Sequence, residues 1–205
     1  MTAIWWIRRD LRLHDNQTLQ AALQAGPVLP VYIFDPYFWA GSPGRRHKFL
    51  SNGLHALEAD LSQRGSYLVL RKGQPGEVLR QLLSESGAQV IYTEEDFTPY
   101  ARKRDQAVAA QLPLRQVQGQ LVHHPEGIRK SDDSPYTVFT PFSKVWKSLL
   151  PSDFGVSQAP EHIPTIPGIT SEPIPSFDQE KYFPVGEAQA QKRLDAFLTD
   201  KIGDY

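Results

Sequence analysis

Four charged side chains follow directly on an apolar run at the start of the chain. Residues 3–7 are apolar without alternation, which is typical of a strand buried on both faces of a parallel sheet. Arg8, Arg9, Asp10 and Arg12 come next. In open α/β sheets, ligands bind outside the carboxyl ends of the strands, beside the strand where the order reverses. This cluster therefore predicts the wall of a site for an anion or an aromatic ligand; the alternative is a solvated turn with scattered charges.

Strand and helix patterns alternate over the first 118 residues. Further apolar runs predict strands at 28–34, 67–72, 90–93 and 114–118, and helical spacing of apolar residues predicts helices between them. The short connections indicate right-handed βαβ units. The predicted fold is an α/β domain with a five-stranded parallel, doubly wound (Rossmann-like) sheet flanked by helices, then a proline-rich linker and a C-terminal helix. Pro30 cannot donate to a ladder, so its strand is expected to pair only from there onward.

The composition excludes several classes of function. The 205 residues contain no cysteine, which excludes disulfides, thiolate metal sites and a cysteine nucleophile. Twenty-two basic residues against 23 acidic ones give a formal charge of −1, so the chain alone is expected to bind DNA poorly. No apolar stretch approaches the length of a membrane span, and early arginines argue against a secretory signal. A cytoplasmic protein with no membrane partner is predicted.

Common cofactor motifs are also missing from the sequence. No glycine-rich dinucleotide motif follows the first strand, and no phosphate-binding loop with Gly-Lys-Ser or Gly-Lys-Thr occurs. An ordinary NAD or ATP site is therefore not expected. His123 and His124 point apart on an extended chain, and no third ligand is spaced to join them. We interpret them as polar loop residues and predict no metal ligand.

Three stretches resemble the DNA photolyase and cryptochrome family. Residues 5–16, Trp-Trp-Ile-Arg-Arg-Asp-Leu-Arg-Leu-His-Asp-Asn, resemble its opening signature: a Trp–aromatic pair, an Arg, Asp-Leu-Arg and Asp-Asn. Residues 136–142, Tyr-Thr-Val-Phe-Thr-Pro-Phe, are similar to a family stretch that precedes a tryptophan-bearing helix. Residues 183–187, Phe-Pro-Val-Gly-Glu, resemble a family Pro-x-Gly-Glu segment. The resemblance thus extends from Trp5 to Tyr205.

The resemblance and the composition together divide the chain into four parts. Residues 1–130 are expected to form the antenna-binding α/β domain, and residues 131–150 a loop and a short helix. Residues 151–184 contain seven prolines and little periodicity, which indicates an extended linker. Residues 185–205 are expected to be the first helix of the family's helical domain.

The resemblance implies two kinds of cofactor. Family members hold an antenna chromophore in the α/β domain (a folate, a deazaflavin or FMN), and FAD in the helical domain, which also receives the flipped pyrimidine dimer. The FAD-binding sequence of the family would follow Tyr205. The resemblance therefore implies FAD only in a full-length parent, contact with damaged DNA only through the absent domain, no catalytic residue here, and no repair by this chain alone.

The resemblance also implies a set of chromophore-binding residues. Carried over by position, a deazaflavin or FMN pocket uses Arg8, Tyr32, Ile33, Asp35, Arg46, Asp96 and Thr98. Their chemistry suits a ring, because Tyr32 and Ile33 offer apolar walls and the others a few polar groups. Arg46 is placed to stack on a ring or to pair a phosphate. A deazaflavin or FMN is favoured over folate, because the carboxylate expected near Tyr100 and Ala101 is missing.

Other noticeable residues have ordinary structural interpretations. Trp5 and Trp6 are predicted to belong to the core rather than to carry electrons. For residues 94–96, Glu-Glu-Asp, the alternative to a role in the pocket is a solvated turn. Residues 102–104, Arg-Lys-Arg, are expected on a solvated helix surface. The basic run at 45–48 is balanced between a functional and a solvated interpretation.

The favoured function is that of the antenna-binding N-terminal domain of a DNA photolyase, whose full-length form repairs cyclobutane pyrimidine dimers with light. The alternatives are a fragment of a cryptochrome-type blue-light photoreceptor and a free-standing α/β module for a small ligand. The expected partner is a small-molecule chromophore. The C-terminal helix carries an apolar stripe (Leu194, Phe197, Leu198 and Ile202), which is expected to dock back on the α/β domain, to fray, or to pair with another molecule in self-association.

Overall fold

The fold is known from a computed structural model that describes residues 1–40, 44–119, 121–177 and 183–204. In chain order its elements are β1 (Ala3–Ile7), α1 (Gln17–Ala25), β2 (Val28–Phe34), α2 (Pro36–Trp39), α3 (Arg45–Ser62), β3 (Val69–Lys72), α4 (Pro75–Ser86), β4 (Val90–Glu94), α5 (Pro99–Ala109), β5 (Leu114–Val117), α6 (Phe139–Ser148), α7 (Glu187–Asp200) and a 3-10 turn at Ile202–Asp204. Within these ranges, every helix is too short or too polar to cross a bilayer.

The five strands form one parallel sheet in the order β3-β2-β1-β4-β5. β1 lies at the centre, and Ala3 is aligned with Val28 of β2 on one side and Val90 of β4 on the other. The chain runs outward in one direction from β1 to β3 and then returns to the other side at β4. This reversal confirms the predicted doubly wound sheet and leaves a crevice at the carboxyl end of β1.

β1 is buried because helices cover both faces of the sheet. Alternate residues of a strand point to opposite faces, so Trp5 packs in the core cluster with α1 and α3, whereas Trp6 packs in the cluster with α4. Both indoles are buried, in agreement with the core interpretation. The uninterrupted apolar run of β1 thus reflects burial on both sides.

β2 begins earlier than Pro30 led us to expect. The strand pairs with β1 from Val28 onward, and Pro30 itself is aligned with Trp5. The ladder to β3 begins only at Val31, so no β3 residue is opposite the proline. The expected start at or after Pro30 is therefore wrong. A strand residue that has no neighbouring strand on one side can lack a backbone N–H donor, and Pro30 has no β3 neighbour.

The loop after β1 is organised by a carboxylate and an amide. Asp10 accepts hydrogen bonds from the Trp5 indole nitrogen at 3.2 Å and from the Arg8 backbone at 3.0 Å. Asn16 caps α1 by accepting from the backbone of Leu19 at 2.8 Å. Much of the polar signature that resembles the photolyase family therefore shapes this loop.

A proline-rich segment, residues 157–175, packs along the domain; we call it the strap. Leu70 of the edge strand β3 donates its backbone N–H to the Ser171 hydroxyl at 2.9 Å, and its carbonyl accepts from Glu172 at 3.0 Å. Ile163 is fully buried in the core cluster. The strap covers an edge that would otherwise present unpaired backbone groups.

The last two helices lie mainly in solvent. No residue of α6 or α7 is buried, and the apolar side chains Leu194, Leu198 and Ile202 are about half exposed. Glu187, the first residue of α7, accepts hydrogen bonds from the backbone of Leu13 at 2.7 Å and His14 at 2.8 Å. The start of α7 is thus fastened to the loop after β1, and self-association through its stripe stays a prediction.

Replacing Ile163 with alanine is expected to reduce the free energy of unfolding by roughly 2–5 kcal/mol, because it leaves a cavity where the strap enters the core. Chemical denaturation monitored by circular dichroism measures this loss. The matched control is Ile202→Ala, at a half-exposed position, which should change stability by no more than about 0.5 kcal/mol. Equal stabilities for the two variants would show that the strap does not contribute to the core.

Candidate functional site

A cleft of about 1090 Å³ opens at the carboxyl ends of β1, β2 and β4, where the strand order reverses. All seven residues predicted to bind the chromophore line it: Arg8, Tyr32, Ile33, Asp35, Arg46, Asp96 and Thr98. They come from three separate loops, the end of β2 and the first turn of α3, and the sheet brings them together. Chromophore binding by these residues stays a prediction, but their convergence on one concave surface is a feature of the structure.

Arg8 is held within the protein rather than left open for a ligand. Its Nη1 atom donates to both carboxylate oxygens of Asp105, at 2.8 and 2.7 Å, and Nη2 donates to the backbone carbonyl of Glu94. Its guanidinium carbon also lies 4.9 Å from the centre of the Trp6 ring. Arg8 therefore contributes to the cleft mainly by fixing its floor.

Asp105 is the centre of this arrangement. The residue is 1% exposed, and its carboxylate also accepts from Arg104 Nε at 2.9 Å and from Gln116 Nε2 at 3.2 Å. Burial raises the pKa of the Asp105 carboxyl, and the positive charge and hydrogen bonds of Arg8 oppose that shift. Asp105 thus joins β1, α5 and β5 beneath the cleft.

Arg104 is a lining residue that the sequence interpretation missed. We expected residues 102–104 on a solvated helix surface, but only 10% of the Arg104 side chain is exposed. Its guanidinium carbon lies 4.9 Å from the centre of the Trp6 ring, and Nη2 is buried with no hydrogen-bond partner among the described residues. The buried residues Ala101, Asp105 and Val108 recur at helical spacing, and this periodicity was the signal that could have found the inward face.

The other charges after β1 have separate roles. Arg9 is two-thirds exposed and lies 3.7 Å from Asp96, at the mouth of the cleft. Arg12 donates to the backbone carbonyl of Asp15 at 2.7 Å. The four charges predicted to form one ligand wall therefore divide: Arg8 and Arg9 line the cleft, while Asp10 and Arg12 stabilise the loop.

Asp35 connects the two sides of the crevice. One carboxylate oxygen accepts from the Tyr37 backbone at 3.0 Å, which caps α2, and the other accepts from the Tyr100 hydroxyl at 2.6 Å. The Tyr37 and Tyr100 rings stack with their centres 3.8 Å apart and their planes 10° apart. We call Asp35, Tyr37 and Tyr100 the aromatic bridge. Burial, and then the hydrogen bond to Asp35, raise the pKa of the Tyr100 phenol.

The remaining predicted residues form the walls and the mouth. Tyr32 lies in β2, and burial, together with the nearby Asp35 charge, raises the pKa of its phenol. Asp96 accepts from the Thr98 backbone at 3.0 Å, and Thr98 caps α5 through a bond from the Ala101 backbone at 3.4 Å. Their polar atoms hold the loop after β4, which forms one rim of the cleft.

Arg46 lies exposed at the mouth, in the first turn of α3. Gly44, the N-cap of this 18-residue helix, has no side chain that could accept a hydrogen bond from the first backbone N–H groups of α3. His47 packs against Trp39, with ring centres 4.3 Å apart. The basic run at 45–48 is thus divided: its arginines line the mouth, and its histidine secures α2.

A smaller cavity of about 330 Å³ shares Arg8, Arg9, Asp96 and Thr98 with the cleft and extends to Gly119. Glu94 is buried beside it, which excludes a fully solvated turn at 94–96. His124 Nε2 lies 3.3 Å from a Glu95 carboxylate oxygen. Within the described ranges, no three metal-ligating side chains are grouped together.

The Asp105→Asn variant is expected to lose about 3–5 kcal/mol of folding free energy, because it leaves the Arg8 and Arg104 guanidiniums buried without a counter-charge. The measurement is denaturant unfolding near neutral pH. Asp133→Asn is a matched control, because Asp133 is almost fully exposed and pairs with Arg129 at 3.9 Å on the surface. Its loss should stay below about 1 kcal/mol. Equal losses would contradict a structural role for the buried carboxylate.

Comparison with known proteins gives a consistent result. A family model described as DNA photolyase matches residues 3–165. A deoxyribodipyrimidine photo-lyase of Synechococcus sp. PCC 6301 is 34% identical and covers 98% of this chain, which spans 46% of that protein. A cryptochrome DASH of Natronomonas pharaonis is 30% identical over the whole chain and 48% of its own length. An uncharacterized 31.6 kDa protein of Synechococcus sp. PCC 6716 is 36% identical over 98% of this chain and 76% of its own.

Solved structures show the same relationship. A bacterial class III photolyase from Agrobacterium tumefaciens matches with a TM-score of 0.84 and 30% identity, covering 97% of this chain and 44% of its own. An archaeal photolyase from Sulfolobus tokodaii, described with two FAD molecules and the implication of a novel light-harvesting cofactor, matches 71% of this chain and 34% of its own. Its TM-score is 0.58 and its identity 27%. The chain spans about half the length, or less, of the photolyases that it matches.

Proposed function

The chain belongs to the DNA photolyase family, and we propose that its α/β domain binds a light-harvesting chromophore in the cleft at the end of β1. A deazaflavin or FMN is favoured over a folate. The observation that carries this proposal is the convergence of all seven expected residues on one cleft. Family members bind chromophores and act on damaged DNA, so this role fits the family.

The walls of the cleft suit a flat heteroaromatic ring. Trp6, Tyr32 and Ile33 supply apolar and aromatic surface, and the volume of about 1090 Å³ is ample for a tricyclic ring with a side chain. Ligand pockets of this kind combine such walls with a few polar groups that fix orientation. Arg104 Nη2, which lacks a partner among the described residues, offers a donor for a ring oxygen.

The mouth of the cleft suits a negative charge. Arg9, Arg45 and Arg46 line it, and α3 begins there without a side-chain cap. The first turn of a helix attracts anions through its free N–H groups and its dipole. A phosphate such as that of FMN, or the ionised oxygen of a deazaflavin, would be stabilised at this position.

At the level of the whole protein, we propose the light-driven repair of cyclobutane pyrimidine dimers in DNA. The relatives named as photolyases are about twice as long as this chain, so the proposal assigns FAD and damaged DNA to other parts of such a protein. The chromophore bound here would absorb light and pass its energy to that FAD. No catalytic residue is assigned in this chain, and a cytoplasmic location is part of the proposal.

Titration with FMN and with a deazaflavin, monitored by chromophore fluorescence, tests the binding site. Arg46→Ala should weaken binding by roughly 1–3 kcal/mol because it removes a positive charge at the mouth. Asp96→Ala should weaken binding by a similar amount because it removes the carboxylate that holds the loop after β4. Arg80→Ala is the matched control, since Arg80 bonds Gln111 on the helical surface and does not line the cleft. Unchanged affinity in both rim variants would remove this pocket from consideration.

A cryptochrome-type photoreceptor is the second candidate, favoured by the cryptochrome DASH that matches the whole chain. Both candidates use the same α/β domain, so chromophore binding does not separate them. The separating experiment gives thymine-dimer DNA and blue light to a protein that contains this chain and an FAD site. Restored thymines identify a photolyase, whereas intact dimers favour a signalling role.

A further inference from the structure

The buried donor of Arg104 and the aromatic bridge lie side by side in the cleft. The Tyr100 ring centre is 5.6 Å from the Arg104 guanidinium carbon, which is 4.9 Å from the centre of the Trp6 ring. Nη2 of Arg104 is shielded from solvent. A buried N–H group without an acceptor is costly in free energy, so this atom is well suited to bind a ligand oxygen, but only after its cover has moved.

The bridge spans the crevice from one side to the other. Asp35 and Tyr37 follow β2, whereas Tyr100 belongs to the first turn of α5, which follows β4. A hydrogen bond of 2.6 Å and a ring stack of 3.8 Å connect them above the end of β1. The edge of the Phe38 ring also contacts Tyr100, with centres 5.1 Å apart.

The backbone on the Tyr37 side of the bridge is anchored by contacts that do not involve the Tyr37 ring. Asp35 fixes the start of α2, and Trp39 fixes its end by packing between Phe34 and His47. Tyr37 lies between these anchors and is 64% exposed. Tyr100 is only partly buried, and within the described residues its hydroxyl donates to Asp35. The contacts that join the two sides of the crevice are therefore made by side chains: the Asp35 carboxylate and the Tyr37 and Tyr100 rings.

We propose that the aromatic bridge is a gate for the chromophore, a role that rests on the proposed binding function. In the closed state, Tyr37 and Tyr100 stack on each other and cover the route to Arg104 and Trp6. In the open state, Tyr100 leaves Asp35, the chromophore ring enters, and one of its oxygens accepts from Arg104. Opening precedes binding, so the bridge sets the rate of chromophore entry.

Stopped-flow mixing with FMN, followed by flavin fluorescence, tests the gate. In the unmodified protein, the observed association rate should level off as FMN is increased, because opening becomes rate-limiting. Tyr100→Phe removes the bond to Asp35 but keeps the ring, and Tyr37→Ala removes the stack. Each should raise the plateau by about threefold to tenfold, the range expected for losing one such contact. Phe154→Ala, an exposed aromatic outside the cleft, is the control and should leave the plateau unchanged.

The outcomes separate the gate from the binding function. A faster plateau in either variant supports the gate and identifies the contact that holds it closed. An observed rate that stays proportional to FMN in the unmodified protein, or a plateau that neither variant changes, overturns the gate while binding itself stands. If equilibrium titration shows no binding of FMN or a deazaflavin by the unmodified protein, the proposed function and the gate both fail.

Discussion

The buried carboxylate of Asp105 is the interaction on which the cleft depends. It binds Arg8 from the loop after β1, Arg104 from α5 and Gln116 from β5, and both guanidiniums lie over the Trp6 ring. A charged group in a low-dielectric interior needs such partners, and in turn it fixes their geometry. The floor of the cleft is consequently rigid, and the groups that could move are at its mouth and in the aromatic bridge.

The strand order explains why the candidate residues meet. β1 is flanked by β2 on one side and β4 on the other. The loops that follow β2 and β4 therefore lie on opposite sides of the carboxyl end of β1. Asp35 and Asp96 are 61 positions apart in the sequence but line the same cleft. The composition of the cleft therefore follows from topology: the sheet creates a crevice, and the loops supply its aromatic and charged side chains.

The sheet and the position of the cleft could be predicted from the sequence, because buried parallel strands have a distinctive apolar pattern and their ends are easy to find. The pairing of individual charges could not. In the sequence, Arg8 looks like a side chain that is free to bind an anion. The structure places Asp105, 97 positions later, beside it. Arg104 appeared solvated because its neighbours are charged. The strap was missed for a similar reason, since its hydrogen bonds to β3 depend on tertiary contact and leave no periodic signal.

The central claim is that a light-harvesting chromophore occupies the crevice at the end of β1. Backbone amide chemical shifts, recorded as FMN or a deazaflavin is titrated into the isotope-labelled protein, test it most directly. If the chromophore binds in the crevice, the largest changes cluster in the loops after β1, β2 and β4 and in the first turn of α3. Changes centred on α6 and the strap, with those loops unaffected, would contradict it.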